Sequence, residues 1–262
     1  MDSSNATEQE FPSYLAEVRQ AGFSGWDFSY VQRHGGENET PPEWSYPLLL
    51  RTHLSQSACA LDLGTGGGEF LASLQPFPPR MTATESYVPN LPIAKARLEP
   101  LGVRVVGVEC GRQEAYPLPF KDGKFDFIAN RHEAYDSREI VRLLSAGGRF
   151  ITQQVGFRNN ENLRMAFGFT HDGQETLPWD LSNAVSALEE AGLTILLAKE
   201  HLGHSRFYDF RALAYMFKIL PWEFPDFQYQ HHEQQLYELY RIIREQGYFD
   251  ATLHRFLVIA EK

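Results

Sequence analysis

Cysteine is scarce in this sequence. Cys59 and Cys110 are the only two among 262 residues, and each lies in an apolar, strand-like run, where cysteine usually serves as a small buried residue. This count excludes a fold that is stabilised mainly by disulfide bonds, and it is typical of a protein in a reducing compartment. Residues 1–8 contain neither a basic nor an apolar segment, so no signal peptide is expected. The sequence therefore predicts a cytoplasmic protein.

Long apolar runs and basic charge are also lacking. No run approaches the ~20 apolar residues of a transmembrane helix, so no membrane partner is expected. Lys and Arg total 24 against 34 Asp and Glu, which gives a formal net charge of −10. Proteins that hold nucleic acid by neutralising phosphates normally carry a basic surplus or stripe. The charge balance therefore argues against a nucleic-acid partner, although a local basic patch would still permit one.

Histidine clusters suited to a metal ion are few. His201-x-x-His204 and His231-His232-Glu233 are the only histidine clusters in the sequence. Zinc usually takes four ligands at tight spacing, often with cysteine, which neither cluster offers. No metal site is therefore expected. Because neither a heptad pattern nor an obvious self-association strand is visible, a monomer is the default expectation.

Apolar runs of strand length alternate with helical patterns through most of the chain. Strands are predicted at 58–63, 81–85, 103–108, 125–130, 149–155, 194–199 and 254–260. Helices are predicted at 11–21, 44–54, 69–74, 90–98 and 181–191, after Asp136, and across the aromatic region 207–246. The stretch 35–42 has the composition of a loop. Near-continuous apolar strands that alternate with helices indicate an α/β fold whose parallel sheet is covered on both faces.

The first of these strands runs directly into a glycine-rich loop, Gly64-Thr65-Gly66-Gly67-Gly68. Such a loop before a helix lets the backbone approach a phosphate or a cofactor closely. It is not a P-loop, because no Gly-Lys-Ser/Thr follows, and Glu69 replaces the third glycine of a dinucleotide-binding loop. Glu85 ends the second strand, where a carboxylate can accept hydrogen bonds from both hydroxyls of a ribose. A tight turn without a ligand and a solvated strand end are the alternatives.

Three segments, in this order, resemble the motifs of the class I S-adenosylmethionine-dependent methyltransferases. They are Ala60-Leu61-Asp62-Leu63-Gly64-Thr65-Gly66-Gly67-Gly68-Glu69-Phe70, Leu118-Pro119-Phe120-Lys121-Asp122-Gly123-Lys124-Phe125-Asp126 and Leu144-Ser145-Ala146-Gly147-Gly148-Arg149-Phe150. The resemblance covers residues 58–155 and implies a doubly wound, Rossmann-like methyltransferase fold. Its sheet has seven mostly parallel strands, of which the last is antiparallel. The resemblance also implies S-adenosylmethionine as the cofactor.

The resemblance further implies a role for each matching residue. Gly64 and Gly66 would line the methionine moiety of the cofactor, Glu85 would hold its ribose, and Asp62 would support the loop. Related proteins usually place an Asp beside the adenine amine, but this chain reads Cys110-Gly111-Arg112-Gln113-Glu114 there. Gln113 is the favoured replacement and Glu114 the alternative. The complete set of cofactor-binding residues that the resemblance implies is Asp62, Gly64, Thr65, Gly66, Glu85, Gln113 and Asn130.

Functional side chains are dense just after the fourth predicted strand, in Asn130-Arg131-His132-Glu133-Ala134-Tyr135. Ligands of open α/β sheets bind at this carboxyl edge of the strands. His132 is the leading candidate for a catalytic general base, because the unperturbed pKa of histidine lies near neutrality. Glu133 would orient His132 or serve in its place. The alternative is that these residues cap the next helix and pair with one another.

Two adjacent amides, Gln153 and Gln154, end the fifth predicted strand at the same edge. Neighbouring residues of a strand point to opposite faces of the sheet, so at most one of the two is expected to contact substrate. The segments 130–133 and 152–156 are similar to segments of an uncharacterised methyltransferase subgroup. That similarity implies no particular substrate.

A single methyltransferase domain is expected over residues 1–262. Its expected parts are an N-terminal helical cap (1–54), a cofactor-binding core (55–200), a helical lid insertion (201–250) and the final strand (251–262). An insertion before the last strand is a natural place for a substrate lid. Aromatic residues at helical spacing, as in 207–227, are more often core, and both interpretations stay open.

These observations predict an enzyme that transfers a methyl group from S-adenosylmethionine to an O, N or S atom of a small molecule. The Asn/Asp-Pro-Pro-Tyr signature of amino-methylating DNA enzymes and the two-glutamate loop of arginine methyltransferases are missing. An RNA or protein methyltransferase is the first alternative. A cofactor-binding regulatory module without turnover is the second, and a nicotinamide-dependent oxidoreductase is a more distant one.

Overall fold

The computed structural model describes residues 3–23, 28–109, 117–169 and 178–262. Its helices are α1 (Ser3–Gln20), α2 (Ser29–Arg33), α3 (Tyr46–Leu54), α4 (Glu69–Ala72), α5 (Leu91–Leu98), α6 (Ser137–Leu143), α7 (Glu161–Ala166), α8 (Leu181–Glu190), α9 (Phe210–Ile219) and α10 (Glu233–Gln246). Its strands are β1 (Glu37–Glu39), β2 (Cys59–Leu63), β3 (Arg80–Glu85), β4 (Val103–Gly107), β5 (Phe125–Arg131), β6 (Leu144–Val155), β7 (Thr194–Phe207) and β8 (Phe249–Glu261). No helix in these ranges is long and apolar enough to cross a membrane.

The strands form one sheet with the order β1-β7-β8-β6-β5-β2-β3-β4. β2 pairs in parallel with β3 and β5, β3 with β4, and β5 with β6. β8 runs antiparallel to β6. The predicted α/β fold, mostly parallel with a final antiparallel strand, is therefore confirmed. The carboxyl ends of β2, β3, β5 and β6 consequently lie at one edge of the sheet.

The sheet has eight strands among the described residues, one more than the predicted seven. The additional strand is β1, which lies in the stretch 35–42 that was expected to be a loop. β1 pairs antiparallel with the last residues of β7, with Glu37 opposite Phe207 and Glu39 opposite Ser205. Its sequence, Glu-Asn-Glu, has low strand propensity, and β7 extends well past its predicted end at 199. The pairing therefore depends on backbone hydrogen bonds that the local sequence does not indicate.

The chain divides into two compact units. The first unit comprises Met1–Pro41, Arg158–Thr176 and Leu202–His254, and the second comprises Pro42–Phe157, Leu177–His201 and Arg255–Lys262. In the second unit, successive strand residues face opposite ways. Ala60, Ile151 and Leu257 belong to a buried cluster with α3 and α5, whereas their neighbours in sequence belong to a cluster with α6 and α8. Both faces of this part of the sheet are covered, as the apolar strands predict.

The first unit has its own aromatic core. Phe11 of α1, Phe210 of α9 and Tyr240 of α10 are buried against one another, with ring centroids 5.5–5.6 Å apart. Helix α9 buries nearly its whole circumference, and α10 contributes a buried stripe to the same cluster. The aromatic segment 207–227 therefore lies largely in a core, the interpretation favoured by its spacing. The predicted division into cap, core and lid, including a lid over 201–250, stays a prediction.

Candidate functional site

The glycine-rich loop leaves the carboxyl end of β2 and leads into α4. Gly64, Gly66 and Gly68 have φ angles of +77°, +61° and +81°, a region that residues with a Cβ rarely adopt. The Gly64 N–H donates to Thr84 Oγ1 (3.3 Å), and the Thr65 N–H donates to the Thr84 carbonyl (2.8 Å). β3 therefore fixes the start of the loop, and glycine is required by its backbone shape.

Glu85 lies beside this loop, as its place at the end of β3 predicts. The carboxylate is buried and accepts the Tyr87 N–H at 2.6 Å. Burial raises its pKa, and hydrogen bonds from the backbone N–H groups of Tyr87, Gly66 and Ser86 oppose that rise without cancelling it. The contact with Gly66 brings the predicted ribose acceptor to the predicted cofactor loop.

Asp62 lies under the same loop, on β2. Burial raises the pKa of its carboxyl from 3.8 to about 6, against the opposing influence of the Thr65 hydroxyl and the charge of Arg131. The Thr65 hydroxyl makes no hydrogen bond among the described residues, and the predicted role of Asp62 in supporting the loop stays a prediction. The nearby charge of Glu85 adds to the rise in pKa.

Glu133 is placed against Gly64 by the pairing of β2 with β5. Leu63 is opposite Asn130 in that pairing, so the residues that follow the two strands come together. A Cβ atom at Gly64 would lie 2.3 Å from Glu133 Cγ and 2.5 Å from Glu133 Cβ. Burial, together with the charge of Glu85, raises the pKa of Glu133 from 4.5 to about 7. The side chain of Glu133 therefore lies directly on the glycine loop.

Three carboxyl groups with raised pKa values thus surround one loop: Asp62, Glu85 and Glu133. A buried carboxylate is stabilised by a nearby positive charge or by hydrogen-bond donors. The loop also offers a backbone surface without side chains at Gly64 and Gly66. These residues fit a ligand that carries hydroxyl donors and a positive charge, as S-adenosylmethionine does.

Asn130 is fully buried and joins three strands. Its Nδ2 donates to the Leu63 carbonyl (3.3 Å), and its Oδ1 accepts hydrogen bonds from Thr152 Oγ1 (2.8 Å) and Gln154 Nε2 (2.5 Å). This network holds the carboxyl ends of β2, β5 and β6 together. The structure gives Asn130 a role in positioning the site, and its predicted contact with cofactor stays a prediction.

His132 faces Gln153 rather than Gln154, because the two amides point to opposite faces as expected. Trp44 Nε1 donates to Gln153 Oε1 at 2.8 Å, which fixes the orientation of that amide. Gln153 Nε2 consequently donates to His132 Nε2 at 3.3 Å, and this nitrogen must be unprotonated to accept. The contact of Trp44 with β6 arises from the packing of the fold and has no local signal in the sequence.

The electrostatics around His132 also favour the neutral imidazole. Desolvation by the surrounding residues, with the charges of Arg131 and Arg255, lowers the pKa of His132 well below 6.5. Its φ angle is +57°, and its backbone N–H donates to the Gln153 carbonyl at 2.9 Å. The side chain keeps an exposed surface. The neutral ring is therefore held in place while remaining accessible.

An aromatic wall adjoins these residues. The Tyr46 hydroxyl donates to the Asn130 carbonyl at 2.7 Å, and the Tyr46 ring stacks on Phe70 with centroids 5.8 Å apart. The Arg131 guanidinium lies 4.5 Å from the Phe70 ring centroid. The hydrogen bond of Tyr46 to β5 depends on how α3 packs.

Gln113 and its alternative Glu114 lie outside the described residues, so the adenine contact stays a prediction. Within the described ranges, no group of three or more His, Cys, Asp or Glu side chains is arranged to hold a metal ion.

Residues 61–152 match a protein-family model described as a methyltransferase domain. An uncharacterized methyltransferase of Bacillus subtilis (strain 168), YcgJ, is 29% identical over 98 residues, which are 35% of this chain and 38% of that relative. The match to a methyltransferase domain at residues 61–152 agrees with the resemblance found in the sequence. The matched segment contains the glycine loop, Glu85 and the segment 130–133.

Solved structures share the fold over a longer stretch. A protein from Bacillus halodurans C-125 gives a TM-score of 0.56 at 19% identity, covering 84% of this chain and 99% of its own. A functionally unknown protein from Deinococcus radiodurans R1 gives 0.55 at 16% identity, covering 95% and 98%. At these identities the similarity shows the fold alone.

Proposed function

We propose that this chain, which carries a class I S-adenosylmethionine-dependent methyltransferase domain, transfers a methyl group to an O, N or S atom of a small molecule. The observation that carries the proposal is the group of three carboxyl groups with raised pKa values around the glycine loop, the buried Asp62 and Glu85 and the partly buried Glu133. Their chemistry suits a cofactor that combines a ribose diol with a positively charged sulfur.

The cofactor contacts follow from this arrangement. Glu85, held by backbone N–H groups, would accept hydrogen bonds from the ribose hydroxyls. Gly64 and Gly66 would allow the methionine moiety to approach the backbone, while Asp62 and Thr65 keep the loop in shape. When bound, S-adenosylmethionine supplies a methyl group activated by its sulfonium charge.

His132 is the proposed proton acceptor. Its Nε2 lone pair accepts the Gln153 amide in this structure, and a substrate O–H or N–H that replaced this amide would meet the same lone pair. The low pKa of His132 keeps the ring neutral and able to accept a proton at neutral pH. Glu133 stays the alternative base. Positioning of the acceptor atom supplies most of the remaining acceleration.

A small-molecule substrate is favoured over RNA by the net charge of −10 and by the three acidic groups at the loop, which would repel a phosphate backbone. We also propose a cytoplasmic monomer, supported by the low cysteine count and the absence of a heptad pattern in the sequence. A regulatory module that binds cofactor without turnover is the competing proposal, and the binding and transfer assays separate the two.

Calorimetric titration with S-adenosylmethionine and its demethylated product tests the cofactor site. Wild-type protein should bind both, and Glu85→Ala should weaken binding at least about tenfold, because each hydrogen bond to a charged group contributes about 1.5–3 kcal/mol. Glu99→Ala is the matched control, because Glu99 is an exposed carboxylate on the turn after α5. Thermal unfolding of each variant shows that folding is retained.

The outcomes separate the competing functions. No binding by the wild-type protein contradicts the methyltransferase proposal, and binding unaffected by Glu85→Ala contradicts the proposed pocket. Binding without methyl transfer across panels of small molecules, RNA and protein favours the regulatory module. Transfer to small molecules that is lost in His132→Ala, with cofactor affinity retained, supports the proposed mechanism.

A further inference from the structure

The side chain of Glu133 packs on the glycine loop, a contact that its position in the sequence does not predict. Its Cβ and Cγ atoms pack on Gly64, the glycine implied to line the methionine moiety of the cofactor. The methionine moiety contains the sulfur that carries a positive charge in the methyl donor and none in the demethylated product. With the methionine moiety at Gly64, the Glu133 side chain would lie next to the one part of the cofactor whose charge changes during the reaction.

The groups that face Glu133 leave its charge sensitive to a ligand. Glu85, at the end of β3, contributes negative charge at Glu133, and Asp62, on β2, interacts in turn with Glu85. On its own segment, Arg131 interacts with Asp62, and His132 is neutral because its pKa is lowered. Burial, together with the charge of Glu85, raises the pKa of Glu133 to about 7, so its carboxyl group changes charge near neutral pH.

We propose that Glu133 is the residue by which the site distinguishes the methyl donor from its demethylated product, its carboxylate compensating the sulfonium charge. This inference rests on the proposed function. When the donor binds, the carboxyl proton passes to the buffer, and the carboxylate and the sulfonium form a charge pair. The neutral sulfur of the product provides no such partner, so the proton stays on Glu133.

The sign of the pH dependence follows from linkage. A nearby cation lowers the pKa of a carboxyl group, so donor binding lowers the pKa of Glu133 and becomes tighter as the pH rises toward neutrality. Product binding lacks this gain. If the donor lowers that pKa by one unit, the ratio of product to donor dissociation constants rises about fivefold between about pH 5 and about pH 7.

The experiment measures both dissociation constants by calorimetry on the full chain at about pH 5, 6 and 7. Contacts that the two ligands share cancel in the ratio. In wild-type protein the ratio should rise with pH, and in Glu133→Gln it should stay flat. Glu99→Gln, which changes an exposed carboxylate, is the control and should keep the wild-type slope.

A second measurement needs no variant and covers the case in which Glu133→Gln fails to fold. Titrations of wild-type protein in two buffers of different ionisation enthalpy give the number of protons released on binding. The donor should release more protons than the product at about pH 6.5. Equal release by the two ligands overturns the inference.

The remaining outcomes are also decisive. A flat ratio in wild-type protein, or an unchanged slope in Glu133→Gln, overturns the role of Glu133 while leaving the proposed function intact. Wild-type protein that binds neither ligand at any pH overturns the proposed function, and this inference with it.

Discussion

Adding one methyl group at Gly64 tests the packing of Glu133 directly. In Gly64→Ala, the new Cβ would lie 2.3 Å from Glu133 Cγ and 2.5 Å from Glu133 Cβ. Rotation about χ1 of Glu133 moves Cγ but leaves Cβ in place, so a change of rotamer does not relieve the overlap. The backbone or the neighbouring strand must shift, and overpacking of this kind destabilises proteins by about 1–3 kcal/mol.

Backbone strain must be separated from this overlap, and Gly102 provides the control. Gly64 and Gly102 have similar φ angles, +77° and +84°, so alanine at either position costs about 1–2 kcal/mol. A Cβ at Gly102 would have no atom within 4 Å. Gly64→Ala should therefore be less stable than Gly102→Ala by about 1–3 kcal/mol.

Urea unfolding of the two variants and wild-type protein measures the difference. Each kcal/mol corresponds to a shift of about 2–4 °C in Tm for a chain of this size, so thermal unfolding is a second assay. In the double variant Gly64→Ala/Glu133→Gly, the additional loss of stability should disappear, because the atoms that overlap the new Cβ are removed and the two positions are coupled. Equal stability of Gly64→Ala and Gly102→Ala would refute the packing, and with it the argument that places Glu133 at the cofactor.

Two further predictions concern the carboxylates of Asp62 and Asp126. Because the pKa of Asp62 rises from 3.8 to about 6 on folding, its ionisation destabilises the folded protein as pH rises. The stability of Asp62→Asn relative to wild-type protein should increase by roughly 3 kcal/mol between about pH 3 and 7 and stay constant above. A gap that does not vary with pH in urea unfolding contradicts this expectation. The Asp126 carboxylate accepts hydrogen bonds from the N–H groups of Ala58 (2.8 Å) and Cys59 (3.1 Å). Asp126→Asn should therefore lower the free energy of unfolding by about 1–2 kcal/mol and leave cofactor affinity unchanged. An unaltered Tm would show that these hydrogen bonds contribute nothing to stability.

Local sequence patterns predict the parts of the site that each strand carries. The apolar run of β2 and its glycines indicate the loop, and the run of β3 places Glu85 at its carboxyl end. Both depend on neighbours in the chain, so hydrophobic periodicity and glycine content suffice. The parallel sheet follows from the same alternation of strands and helices.

Relations between distant segments could not be predicted in this way. The position of Glu133 on Gly64 depends on the register that sets Leu63 opposite Asn130, and a shift of one residue would send the side chains elsewhere. The pairing of Trp44 with Gln153 likewise depends on the packing of α3. β1 has no local signal at all, because polar residues form it against the end of β7.

The raised pKa values at the loop have a physical consequence for the fold as well as for the site. A carboxyl group that is harder to ionise in the folded than in the unfolded chain destabilises the protein above its unfolded pKa. Asp62 and Glu133 could be replaced by amides of the same shape, which would remove that destabilisation. Their presence is accounted for if a bound cation restores the free energy that ionisation costs, since groups with perturbed pKa values cluster at functional sites. The same electrostatics then accounts for both the lower stability of the unliganded site at neutral pH and the proposed affinity for a positively charged cofactor.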